Sequence, residues 1–227
     1  MARRYLSARV KLGAALGLAS LASIVLYITG DWAQHQNAFA YMIWNLILAW
    51  AALFITLWLE YVIHRNLWSS WYALLVTFLW MVFLPNTFYM ITDFIHVPEL
   101  PAGSLLHGTF MFASFVFTGV MLGFISTYLV HMELKKRLGM RPASIIIGGV
   151  LLICSVAMYV GRELRWNSWD IVTNPASLLF DVTDRLLNVP EHPYMFASIS
   201  SFFVLIVIIY GVLWWLVRAA RNLPADN

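Results

Sequence analysis

The sequence predicts an all-α membrane protein, a bundle of six transmembrane helices, and three observations predict it. Of the 227 residues, 62% are hydrophobic and only 11% charged, with a mean hydropathy of +0.78, whereas soluble domains carry about 25% charged residues. Six stretches contain no Lys, Arg, Asp or Glu: 12 to 30, 32 to 59, 66 to 92, 100 to 130, 142 to 161 and 192 to 217. All but the first reach roughly 20 residues, enough to cross about 30 Å of hydrocarbon at 1.5 Å per residue. The third observation is that the basic residues sort to alternate connections between these stretches. Composition also excludes a disulfide scaffold, since Cys154 is the only cysteine and lies in an apolar run.

The elements follow in order as helices over about 11–29, 38–59, 67–84, 105–130, 143–160 and 195–217, all in a single integral membrane domain spanning 1–227. The first has a basic start and an apolar run near 18 residues, longer than the core of a cleaved signal, and no small-x-small site follows Thr29, so it is expected to stay as a span. Arg3 and Arg4 with Leu6 and Ser7 fit a twin-arginine export pattern poorly. The second helix carries Asn45, the third ends at Pro85, and the fourth opens near His107. Two outer loops are long, 85–104 and 161–194. Within the second, Asn174 and Pro175 read as N-cap and first helical residue. Leu178, Leu179, Val182 and Leu186 then fall on one side of an amphipathic helix of about three turns, opposite Asp181, Asp184, Arg185 and Asn188. Gly13 with Gly17, and Gly119 with Gly123, form GxxxG pairs expected mainly to pack internally.

Eleven of the 14 Lys and Arg fall at the amino terminus, the second and fourth connections and the tail, and only Arg162, Arg165 and Arg185 fall on the other side. By the positive-inside rule both termini face the cytoplasm. The net charge of +3 and pI near 9.1 therefore describe orientation, and no nucleic-acid partner is implied. Carboxylates gather on the outer side, where Asp31, Asp93, Glu99, Glu163, Asp170, Asp181, Asp184 and Glu191 lie, against Glu60, Glu133 and Asp226 inside.

Polar residues near or within spans need an explanation, because hydrocarbon offers no partners. Asn45 lies roughly 10 Å below the outer boundary. After Pro85 come Asn86, Asp93 and His96, and if the chain turns helical again Asp93 and His96 share a face at i and i+3. A carboxylate and an imidazole so placed suit a divalent metal or an acid and base pair. With Glu99 and His107 they make four potential metal ligands within fifteen residues, although Pro98 and Pro101 intervene and no HExxH pattern is present. After the fifth helix come Arg162, Glu163, Arg165, Trp166, Asn167, Trp169 and Asp170, where paired arginines suit a carboxylate or phosphate and tryptophan faces suit a sugar or cation. Interfacial anchoring of Arg and Trp explains part of that segment equally well. Asn45, Asn86, Asp93, His96, His107, Arg162, Glu163, Asn167 and Asp170 all fall at one membrane face, and below Asn45 no ionisable residue lies in any predicted span.

At these residues the chain resembles a bacterial and archaeal integral-membrane family known as domain of unknown function 1361. The likeness rests on Trp44 and Asn45 with Leu48 to Trp50, on the run from Phe83 to His96, and on Gly161 to Asp170 followed by Asn174 and Pro175. The resemblance implies a multi-pass protein of the bacterial inner membrane and implies no catalytic activity. Three functions fit the residues. One is binding, or transport, of a small polar or anionic ligand or lipid headgroup at an outer polar site. A second is an enzyme acting on an outer-leaflet lipid-linked substrate, with Asp93 and His96 as base or metal ligands. The third is a structural or assembly partner in which these residues only lock the outer loops, the lipid bilayer being its one certain surrounding.

Overall fold

A computed structural model describes residues 2–30, 39–166, 173–188 and 193–222. It is helical, and no strand occurs among the described residues. The helices are α1 (Ala2–Ile28), α2 (Tyr41–Arg65), α3 (Trp71–Phe83), α4 (Pro85–Tyr89), α5 (Leu105–Leu138), α6 (Met140–Glu163), α7 (Pro175–Leu187) and α8 (Tyr194–Asn222). A 3₁₀ segment, Met90–Glu99, follows α4 directly. Among the described residues six segments are long and apolar enough to cross a membrane, the third being α3, α4 and the 3₁₀ segment taken together, Trp71–Glu99.

The spans are longer than the charge-free stretches suggest. Helix α2 continues past Leu59 to Arg65, and α5 continues past Val130 to Leu138. Both extensions take ionisable residues into the bundle, among them Glu60, His131 and Glu133, which are 9%, 3% and 4% exposed. The expectation that no ionisable residue lies in a span below Asn45 is therefore corrected. The physical reason is that a helix does not end where charge begins; each of these groups has a partner that keeps it in the fold.

Helix α5 is the centre of the bundle and packs against α1, α2, α4, α6 and the 3₁₀ segment. Close approach is possible because Gly119 and Gly123 lack side chains. A Cβ on Gly123 would overlap the Thr87 hydroxyl and lie 2.9 Å from the Thr87 Cβ, and one on Gly119 would overlap the Met90 sulfur and lie 3.0 Å from the Thr87 carbonyl. That pair packs internally, as small residues do where helices meet in lipid. Gly13 and Gly17 differ, since nothing lies within 4 Å of a Cβ built on either. At the middle of the bundle Ser126 on α5 accepts from the Trp80 indole at 2.9 Å and pairs with Thr56 at 2.6 Å, tying α2, α3 and α5 together without charge.

Pro85 does not end the third span. It takes the first position of α4, where its missing N–H is not needed. Short side chains satisfy carbonyls around it: Asn86 donates to Phe83 at 3.0 Å, Thr87 to Leu84 at 2.7 Å and Thr92 to Tyr89 at 2.7 Å. The stretch 85–104 is thus mostly helical and partly buried in the bundle, a correction to its reading as an outer loop. Ten residues of 3₁₀ helix are unusual, since such runs seldom exceed 3–4 residues and often mark a functional hinge.

Helix α7 forms where the amphipathic pattern places it, but its polar side turns to the bundle. Asp181 accepts from the Trp166 indole at 2.9 Å and Arg185 donates to the Tyr159 hydroxyl at 2.8 Å, while Leu179 and Phe180 are 65% and 71% exposed. Asn174 makes no side-chain capping bond. Of its apolar face Leu179 is exposed, while Leu178 and Val182 are half-buried.

Candidate functional site

The site begins with the 3₁₀ repeat. Three residues per turn stack positions 90, 93, 96 and 99 in one row, and burial falls along it from Met90 and Asp93, both 0% exposed, to partly exposed His96 and exposed Glu99. The row carries Asp93 against α2 and lets His96 and Glu99 reach the surface, where His96 Nδ1 meets Glu99 Oε1 at 2.9 Å.

Around Asp93 three elements converge. Asn45, on the second turn of α2, donates from Nδ2 to Asp93 Oδ2 at 3.3 Å. Arg162, near the end of α6, places Nη1 3.8 Å from Asp93 Oδ1, within ion-pair range and beyond hydrogen-bond range. The Arg162 guanidinium is held by two other contacts: Nη2 donates to the Thr92 carbonyl at 2.7 Å, and Cζ lies 5.9 Å from the centre of the Tyr89 ring. Tyr41, the first residue of α2, packs edge-on to the His96 ring at 5.6 Å. Two residues earlier Phe39 adopts a left-handed backbone (φ 71°), a strained choice for a bulky residue, with its ring edge-on to Phe112 at 5.2 Å.

Two polar atoms here are buried with no hydrogen-bond partner, Asp93 Oδ1 and the Tyr41 hydroxyl. A buried acceptor or donor left unpaired costs about 1–3 kcal/mol, and more when charged. The arrangement provides an open carboxylate acceptor, a phenol that can donate or accept, and a guanidinium fixed by its neighbours.

Several residues expected at this face lie elsewhere. His107 turns to α1, with Nε2 2.8 Å from the Leu26 carbonyl, so Asp93, His96, Glu99 and His107 do not form one ligand set. No group of three or more His, Cys, Asp and Glu able to hold a metal occurs among the described residues. Arg162 and Arg165 do not project from one helix face, because α6 ends at Glu163 and Arg165 takes a left-handed backbone, φ 57°, and is exposed. Glu163 is exposed, Trp166 is bound to α7, and Asn86 caps the end of α3. Asn167, Trp169 and Asp170 lie outside the described residues. The pattern of polar residues gave no prominence to Tyr41, Tyr89 or Thr92. Tyr41 had a signal, since it precedes Asn45 by one helical turn on the same face; the Thr92 carbonyl had none.

The opposite end of the bundle also buries carboxylates. Arg9 on α1 donates to Glu60 Oε1 on α2 at 2.6 Å, and Lys136 pairs with Glu133 within α5. His64 stands beside Glu133, with Nε2 3.7 Å from its Oε2, while Nδ1 lies 2.6 Å from the Glu60 backbone carbonyl one turn back on α2. His131 is stacked on Trp214 at 4.4 Å and bonded to the Tyr210 hydroxyl at 2.8 Å, joining α5 to α8.

No curated protein and no solved structure matches the chain. A family model described as "Protein of unknown function (DUF1361)" matches residues 44–209, a range that contains Asn45, Asp93 and Arg162 and runs from the second span into the last. The chain belongs to that family, DUF1361.

Proposed function

We propose that the protein binds a small polar ligand at the Asp93 end of the bundle, through a ligand group that donates hydrogen bonds and an adjoining acceptor or anion. The observation that carries this reading is the pair of unpartnered buried atoms, Asp93 Oδ1 and the Tyr41 hydroxyl, beside a guanidinium held 3.8 Å from the carboxylate. A purely structural lock would close that gap, because a charge-assisted N–H to O bond settles near 2.7–2.9 Å. A ligand hydroxyl or ammonium supplies the donor that Asp93 lacks, and Arg162 supports a negative or carbonyl oxygen next to it.

The test is a titration of the purified full-length protein in detergent with phosphoethanolamine, whose ammonium has N–H donors, and with phosphocholine, whose quaternary ammonium has none and which carries no alcohol hydroxyl. Thermal stability should rise saturably with the first and not with the second. The response should disappear in Tyr41→Phe, a variant that loses only an unbonded hydroxyl and should fold. Equal responses to the two probes, no response to either, or an unchanged response in Tyr41→Phe would overturn the proposal.

The charge bias supports an outward-facing Asp93 end with both termini in the cytoplasm. A cysteine introduced at Ser168 in a Cys154→Ala background should react with an impermeant reagent added outside whole cells; reaction only after permeabilisation would reverse the orientation.

A further inference from the structure

The Glu60 end of the bundle carries charge of one sign on its surface. Helices α5 and α6 are joined by Gly139 alone, whose backbone (φ 85°) favours glycine and whose N–H donates to the Lys135 carbonyl at 3.0 Å. That one-residue reversal holds Lys135, Lys136, Arg137 and Arg141 within seven residues, and all four are exposed. The carbonyl end of α5 and the amide end of α6 meet there, so their dipoles offset and side-chain charge sets the potential.

Little of that charge is neutralised. Among the described residues the carboxylates at this end are Glu60 and Glu133, both buried and paired with Arg9 and Lys136. Other cations here lie over aromatic rings, Arg65 on Tyr61 at 4.4 Å, Arg218 on Trp215 at 5.8 Å and Arg221 on Tyr128 at 5.8 Å. Lys135 and Arg141 make no hydrogen bond or ion pair with any described residue.

The turn also lies at the level of the membrane boundary. Arg137 donates to the Ile63 carbonyl at 2.8 Å and lies 5.2 Å from the centre of the Trp68 ring, which ties the turn to the connection between α2 and α3. Trp71, at the end of that connection, is 76% exposed, and tryptophan gathers at headgroup level. Leu138 and Met140, on either side of Gly139, are exposed apolar side chains among the cations. Basic and apolar residues so mixed suit an anionic membrane surface.

We infer that the α5–α6 turn binds an anionic phospholipid of the leaflet at this end, its headgroup phosphate held by Lys135 and Arg141 and its chains against Leu138 and Met140. Charge complementarity selects this occupant from the lipids around the spans, because a zwitterionic headgroup brings its own cation and gains less. The assignment is independent of the Asp93 site.

The experiment uses the full chain in an uncharged detergent at low ionic strength, titrated with phosphatidylglycerol and phosphatidylcholine of identical chains. Retained lipid is read by native mass spectrometry. The wild type should prefer phosphatidylglycerol about 25-fold, a factor of about five for each of the two free cations. Lys135→Gln combined with Arg141→Gln should abolish the preference and leave phosphatidylcholine retention unchanged. Arg218→Gln combined with Arg221→Gln removes as much charge from the end of α8 and should leave most of the preference in place. No preference in the wild type, a preference kept without Lys135 and Arg141, or an equal loss in the α8 variant would overturn the assignment. Displacement of the lipid by sodium phosphate but not by sodium chloride of equal ionic strength would show a site for free phosphate. Displacement by polyglutamate alone would show one for an acidic protein segment, and either result would overturn the lipid assignment.

Discussion

Carboxylates are buried at both ends of α2, about 22 Å apart by the rise of the helix from Asn45 to Glu60, and the two ends treat them differently. At the Glu60 end each acid has a cation in direct contact, from Arg9 at 2.6 Å and from Lys136, and both cations stay partly in contact with the surroundings, 35% and 57% exposed. Glu60 Oε2 has no hydrogen-bond partner. At the Asp93 end the acid is fully buried, its cation stands off at 3.8 Å, and a second polar atom, the Tyr41 hydroxyl, is also unpartnered. The first arrangement is a clasp joining α1, α2 and α5. The second keeps polar atoms desolvated and unsatisfied, which stability alone does not favour.

Arg162→Met should separate the two ends most sharply. It leaves the Asp93 carboxylate buried without a counter-charge, a loss of about 3–5 kcal/mol where a buried pair is broken. Thermal denaturation in detergent should show a large fall in Tm, and Asp93→Asn in the same chain should recover more than half of it. Next in size is Gly123→Ala, whose added methyl would strike Thr87; overpacking of this kind costs about 1–3 kcal/mol. Gly13→Ala and Gly17→Ala, with open space around them, should leave Tm unchanged or slightly higher. A fall in Tm with either would mean that this face of α1 is covered in the membrane.

At the clasp the effects should be smaller. Arg9→Gln removes one charge-assisted bond to Glu60, worth about 1.5–3 kcal/mol in general and expected near the lower figure because Arg9 is partly exposed. Lys136→Ala takes the cation from a buried carboxylate, but Lys136 is itself more than half exposed and His64 Nε2 stands 3.7 Å from the same acid, so the loss should be about 1 kcal/mol. If Arg9→Gln matched Arg162→Met in size, the contrast between the ends would fail.

The bundle was legible in the sequence because twenty apolar residues have one common solution in lipid, a helix. Its helix ends were not. Glu60 and Glu133 look like the start of connections, yet Arg9 and Lys136 let them stay helical. Pro85 looks like a stop, yet Asn86, Thr87 and Thr92 supply the donors that allow the chain to continue. The site was legible in part, since polarity alone placed Asn45, Asp93 and Arg162 at one face. Which of the neighbouring polar groups would join them depended on packing: His107 went to the Leu26 carbonyl and Arg165 to solvent. Tyr41 was obscured because tyrosine at a span end is ordinary in a membrane protein.

The most direct test of the binding site is the mass of the protein as gently extracted from its own membrane, measured intact for wild type and Asp93→Asn. The wild type should retain a bound molecule whose occupancy falls about tenfold in Asp93→Asn, the change expected for one charge-assisted hydrogen bond. An empty wild type, or equal occupancy in the two proteins, would contradict it and make the Asp93 cluster a lock like the one at Glu60.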